Sequence, residues 1–225
     1  MAKRKMERFA EVDAAPNVIQ HVQVSADIDD HFLKGKWNEE YFKNDLPIVL
    51  ELGCGKGEYT LGLAQRFIDK NFLGLDIKGA RIWKGSKTAL EKNLTNVAFI
   101  RTTVDRIEKL FGKNEVDEIW ITFPDPQPQK PKERKRLTCP QFINKYKNTL
   151  KEGGIIHLKT DNKPFYEYTL EVIKQEKYEL LIATDNLYNE KEKLDLPEGL
   201  LEIKTFYESM FTAKGFNICY LKFRI

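Results

Sequence analysis

Long apolar runs are missing from this chain of 225 residues. No stretch approaches the roughly 18 uncharged apolar residues that cross a bilayer, and the basic start MAKRKMERF leads into no hydrophobic secretory segment. The expectation is a cytoplasmic protein without membrane contact. Cysteine is scarce too: Cys54, Cys139 and Cys219 stand far apart with no paired spacing, which excludes a zinc ribbon or a dithiol redox motif and argues against structural disulfides. The only histidines, His21, His31 and His157, show no ligand-like spacing, so no metal is expected. No repeat or low-complexity block is present. Net charge is small, 37 Lys and Arg against 34 Asp and Glu, so the total says little about partners and the distribution has to be read instead.

What is present is a core-forming composition. Apolar residues make up 41% and aromatics 12% of the chain, too many for a disordered protein. The length fits one large domain or one domain with extensions, not two. Residues 1–40 have weak periodicity and read as a basic, partly mobile N-terminal extension, leaving 41–225 as a single domain. Nothing in the sequence requires more than a monomer.

From residue 47 to 183, strand and helix patterns alternate. Apolar runs at Ile48–Leu52, Phe72–Asp76, Val97–Arg101, Glu118–Phe123 and Ile155–Lys159 read as buried parallel strands. Helices are expected from about Gly57, over 79–93, 106–111, 140–150 and 164–176. Gly153-Gly154 is a stop signal and Pro164 a start. Tyr178–Ala183 reads as a further strand. After a polar loop over 184–199 come a helix near 203–213 and a strand at Phe216–Arg224 that can close the sheet in antiparallel fashion. The fold class is α/β, a mostly parallel seven-stranded sheet with an antiparallel C-terminal strand and helices on both faces.

Two places carry chemistry. The first is Glu51-Leu52-Gly53-Cys54-Gly55-Lys56-Gly57-Glu58, where the first strand turns into its helix, the point at which such sheets hold ligands. Gly53, Gly55 and Gly57 are spaced unlike the dinucleotide fingerprint, whose third glycine falls where Glu58 stands. Glu51 would repel a pyrophosphate and suits a cation instead, such as the ammonium and sulfonium of S-adenosylmethionine. Asp76, at the end of the second strand, is placed to accept hydrogen bonds from ribose hydroxyls.

The second place is Phe123-Pro124-Asp125-Pro126, at the end of the fourth strand and on the same rim. It runs into Lys130, Lys132, Arg134, Lys135 and Arg136, with Glu133 the single acid among them. A carboxylate at a cofactor cleft followed by a basic segment is what holding a polyanion beside the cofactor requires.

These residues resemble the bacterial tRNA (guanine-N7-)-methyltransferases, class I enzymes of Rossmann-like fold that use S-adenosylmethionine to methylate guanine 46 in the variable loop of tRNA. The resemblance spans about Pro47 to Arg224. It rests on ELGCGKGEY, FLGLDIK, FPDP with the basic segment ending KRL, GGIIHLKTDN and TFYESMFTAKG. The first motif is shared by many methyltransferases, whereas FPDP with its basic tail and LKTDN are far more specific.

The resemblance implies cofactor contacts from Glu51, Asp76 and Asp125, with Asp125 also the catalytic acid, and substrate contacts from Asp161 and the segment Thr205 to Glu208. The chain departs from the family pattern at Gln127 (usually Trp), Gln129 (Lys), Lys132 (His) and Thr103 (an acid, with Asp105 two residues on). Asp125 could favour the charge developing on the purine, orient the base or hold the cofactor's ammonium, and sequence does not separate these roles. The competing readings are methylation of another RNA or an amino substrate, and a catalytically silent RNA-binding protein on the same fold. The exocyclic-amine reading lacks its Pro-Pro-aromatic motif, because Asp125-Pro126 continues into Gln127-Pro128.

Overall fold

The structure, a computed structural model, describes residues 2–21 and 29–225. The chain starts with helix α1 (Ala2–Ala14) and strand β1 (Val18–Gln20). Then follow β2 (Ile48–Leu52), α2 (Glu58–Arg66), β3 (Asn71–Asp76), α3 (Gly79–Glu91), β4 (Val97–Arg101) and the single turn α4 (Ile107–Leu110). The second half holds β5 (Val116–Thr122), α5 (Pro140–Thr149), β6 (Leu150–Thr160), α6 (Lys163–Gln175) and β7 (Glu179–Thr184). It closes with α7 (Leu187–Glu190), α8 (Phe206–Ala213) and β8 (Cys219–Arg224).

The strands form one sheet in the order β1-β4-β3-β2-β5-β6-β8-β7. Pairings from β1 to β6 are parallel, and β8 runs antiparallel between β6 and β7. The seven strands expected from the apolar pattern are all present, with β8 antiparallel as read. The eighth is β1, added at the edge by three half-buried residues that carry no alternation to read.

Both faces of the sheet are covered, which is why the central strands are largely apolar, with Glu51 in β2 and Lys159 in β6 as buried exceptions. In β2, Leu50 and Leu52 enter a core with Ile119, Ile121 and Tyr146, while Val49 faces the other core with Tyr59, Phe72 and Trp120. Each such buried side chain contributes about 1.5–3 kcal/mol through loss of apolar surface to water. His157 belongs to this packing: its ring lies flat on Trp120, centroids 3.9 Å apart.

Residues read as an extension take part in this body. α1 packs along α3, and Trp37 is fully buried with its indole N–H donating to the Leu110 carbonyl at 2.9 Å. The side chains of Lys3, Arg4 and Lys5, within the basic start, lie outside the described residues. Residues 184–199, read as loop, contain α7, whose Leu187 is buried.

Because β2 to β6 are parallel, their carboxyl ends share one rim. Gly53, Asp76, Thr102, Phe123 and Asp161 all follow or end those strands, so the fold itself gathers the motifs at one edge.

Candidate active site

A cleft of about 630 Å³ opens along this rim, bordered by Gly53, Asp76, Thr103, Asp105, Asp125 and Arg134 among others. A second cavity of about 230 Å³ adjoins it, sharing Gly53, Arg81 and Phe123 and closed by Thr205, Phe206 and Tyr207.

The glycine loop is shaped for a ligand at one end and for packing at the other. Gly53 has a φ of 74°, a left-handed conformation that disfavours side chains, and a Cβ there would meet nothing within 4 Å, so its backbone lies open to both cavities. Gly57 also has positive φ, but its Cβ would lie 2.5 Å from the Phe99 ring, so its bareness lets α2 settle on the sheet. Gly55 donates its N–H to Asp76 Oδ2 at 2.9 Å, and Lys78 donates to Asp76 Oδ1 at 2.7 Å. Each carboxylate oxygen thus spends one lone pair on the chain and keeps another, enough for a pair of ribose hydroxyls.

Glu51 sits one layer deeper than the sequence reading suggests. It is 3% exposed, borders neither cavity and accepts hydrogen bonds from Thr60 N at 2.9 Å, from the Thr60 hydroxyl and from Thr122 Oγ1 at 2.6 Å. Burial pushes its carboxyl up to about 7, against the pull of those hydrogen bonds. Thr122 and Gly53 stand between it and the small cavity. Cys54 beside it is buried, and burial together with Glu51 and Asp76 raises its thiol well above the usual range, which leaves it inert.

Asp125 is exposed on the wall of the large cleft, and its Oδ1 accepts the N–H of Gln127 at 3.1 Å, a local Asx turn. Phe123 and Gln127 both have positive φ, so the backbone on either side of Asp125 is bent away from the strand. The basic residues divide. Arg134 and Lys135 border the cleft, and Lys130 and Lys132 are exposed on the same 3-10 turn. Arg136 is committed elsewhere, stacked over Tyr168 at 4.2 Å and donating to the Gln127 carbonyl.

Asp161 follows β6 on the rim, half-buried, and borders neither cavity. It is not the cap of α6, since Asn162 accepts the Phe165 N–H at 2.9 Å in that role. Thr205 caps α8 by accepting the Glu208 N–H at 3.1 Å. Glu208 points inward, fully buried, 2.7 Å from the Lys159 ammonium. Thr205 and Glu208 therefore do not present one shared face to the cleft.

Sequence reading missed Lys78 and Arg81, which start α3 and border the cleft beside Asp76. A helix entered straight from a site strand puts its first turn at the ligand, and that was the available signal. Among the described residues no group of three or more His, Cys, Asp or Glu could hold a metal ion, and no helix is long and apolar enough to cross a membrane.

Comparison with known proteins fits this geometry. Residues 45–221 match the family described as "Putative methyltransferase". A tRNA (guanine-N(7)-)-methyltransferase of Christiangramia forsetii is 50% identical to this chain, covering 100% of it and 99% of the relative. The chain belongs to the tRNA (guanine-N(7)-)-methyltransferase family. A family member from Bacteroides thetaiotaomicron is 45% identical, with 100% of this chain and 87% of that one covered. Among solved structures, the 16S rRNA methyltransferase KamB superimposes with a TM-score of 0.63 at 16% identity, over 90% of this chain and 97% of that one. That likeness bears on the fold, which is the class I methyltransferase fold.

Proposed function

We propose that this chain transfers the methyl group of S-adenosylmethionine to N7 of a guanine in tRNA, at position 46 of the variable loop. The observation that carries the reading is that Gly53, Asp76 and Asp125 border one cleft whose wall is completed by Arg134 and Lys135.

The cleft has the size of a small-molecule site, about 300–1,000 Å³, and its chemistry suits that cofactor. Asp76 has acceptor capacity left for ribose hydroxyls. Leu75, Ile77 and Phe142 offer apolar surface to a purine, and Thr103 and Asp105 stand at its edge, in place of the acid usual in the family. Gly53 lets backbone approach the amino-acid end, over the buried Glu51. Bound S-adenosylmethionine would supply an electrophilic methyl on a sulfonium, and the acids around the cleft favour that cation.

Guanine N7 carries an unprotonated lone pair, so no residue has to remove a proton from the nucleophile. The protein's task is placement, which can lower a barrier by about 7–11 kcal/mol. A guanine turned out of the RNA would enter the small cavity, between Phe123 and the Thr205–Tyr207 segment. Methylation at N7 leaves positive charge on the purine ring, and the Asp125 carboxylate, on the wall of the large cleft, favours that charge. Asp161 is available to accept from the guanine N1 and N2 donors. Lys130, Lys132, Arg134 and Lys135 hold phosphates beside the cleft, while Arg136 shapes the segment from within. Thr205 acts as the cap that starts α8.

The test is incubation with labelled methyl donor and tRNA lacking 7-methylguanosine, followed by nucleoside analysis. Label in 7-methylguanosine is expected. Label in another nucleoside, or RNA binding without any transfer, would refute the reading.

A further inference from the structure

Glu208 lies in the segment that the family resemblance assigns to the substrate, yet it is sealed inside the protein. Its Oε1 is 2.7 Å from the Lys159 ammonium, with both side chains at 0% exposure, and it accepts the Tyr188 hydroxyl at 2.5 Å. Lys159 also donates to the Leu200 carbonyl at 2.6 Å, and its own carbonyl accepts the N–H of Phe123 at 2.8 Å. One residue of β6 therefore anchors α8 through its side chain and the strand end leading to Asp125 through its backbone. At the other end of the segment, Glu58 of α2 accepts the Phe206 N–H at 2.8 Å. The outward part of α8 is what borders the small cavity: Phe206 is 55% and Tyr207 42% exposed.

We propose that Lys159 and Glu208 are positioning residues: their buried ion pair fixes α8 so that Thr205, Phe206 and Tyr207 border the base cavity, and Glu208 itself makes no contact with RNA. The inference rests on the reading of that cavity as the guanine site. A buried charge is tolerated only while its partner is present, so removing either member strands the other and displaces α8. Replacing both by neutral groups of similar size leaves no charge stranded. A carboxylate that read the guanine could not be replaced in that way.

The experiment compares Lys159→Gln, Glu208→Gln and the double variant in steady-state methylation of tRNA, with cofactor titration and thermal melting alongside. Each single variant is expected to lose about tenfold or more in kcat/KM for tRNA while cofactor Kd stays within about twofold. The double variant, with an amide pair in place of the ions, is expected to recover to within about threefold of wild type, a non-additive result. Lys159→Met/Glu208→Gln, which removes both charges and keeps an acceptor for the Tyr188 hydroxyl, is the second double variant. Recovery in either supports the proposal. Inactivity of both, or losses that multiply in the double variant, overturns it. Failure of the underlying reading shows separately, as wild-type protein that forms no 7-methylguanosine.

Discussion

Gly55 donates its backbone N–H to Asp76 at 2.9 Å, so the loop after β2 and the end of β3 are held together by the same carboxylate that we propose binds the cofactor's ribose. Asp76→Ala removes that tie and the ribose acceptors at once. Cofactor Kd is expected to rise by at least about tenfold, a loss of about 1.4 kcal/mol or more. Isothermal titration of the variant checks this, and an unchanged Kd would detach Asp76 from the site.

Glu51 gives the site a pH dependence. Its carboxyl is held up to about 7 by burial, so it is largely neutral at pH 6 and ionised at pH 8, and a cationic cofactor nearby favours the ionised form. Cofactor affinity should therefore rise from pH 6 to pH 8 and flatten in Glu51→Gln. Folding responds in the opposite sense. The folded-state value lies above the ordinary 4.5, so the contribution of Glu51 to stability is intact below pH 4.5 and lost as pH rises through about 7. The melting temperature of Glu51→Gln relative to wild type should thus increase between pH 5 and pH 8.

Gly57→Ala should damage the fold more than the chemistry. The new methyl would lie 2.5 Å from the Phe99 ring at a positive φ, and overpacking costs about 1–3 kcal/mol with about 1–2 kcal/mol more for the left-handed backbone. A drop of several degrees in melting temperature is expected.

Changing Lys130, Lys132, Arg134 and Lys135 together to Gln should flatten the salt dependence of tRNA binding. Every cation that no longer neutralises a phosphate lowers the slope of log affinity against log salt by about 0.7–0.9, so a reduction of about 3 is expected. An unaltered slope would remove this turn from the RNA surface. Arg136→Gln should instead lower stability, because its guanidinium is packed on Tyr168.

Much of the sheet was legible because strands buried on both faces are rich in apolar residues, as Ile48–Leu52 is apart from Glu51. The site motifs were legible because glycines and acids at strand ends stand out against those runs. β1 was not, since Val18–Gln20 is too short to show a period and is ordered by pairing with β4. Nothing local in the sequence places Glu208 inside the protein, because its partner Lys159 comes from a distant strand and no local pattern announces an ion pair made by tertiary packing. Glu51 was read as a ligand contact because its depth depends on Thr60 and Thr122, which reach it from α2 and β5.

If this rim delivers a methyl group to N7 of guanine 46, the lone pair of that nitrogen is indispensable. The most direct measurement uses tRNA carrying 7-deazaguanine at that position, where a C–H replaces the nitrogen lone pair and the rest of the base is kept. Unchanged tRNA affinity and no methyl incorporation are expected, against full labelling of the unmodified tRNA. Labelling of the deaza tRNA to the same extent would contradict transfer to N7.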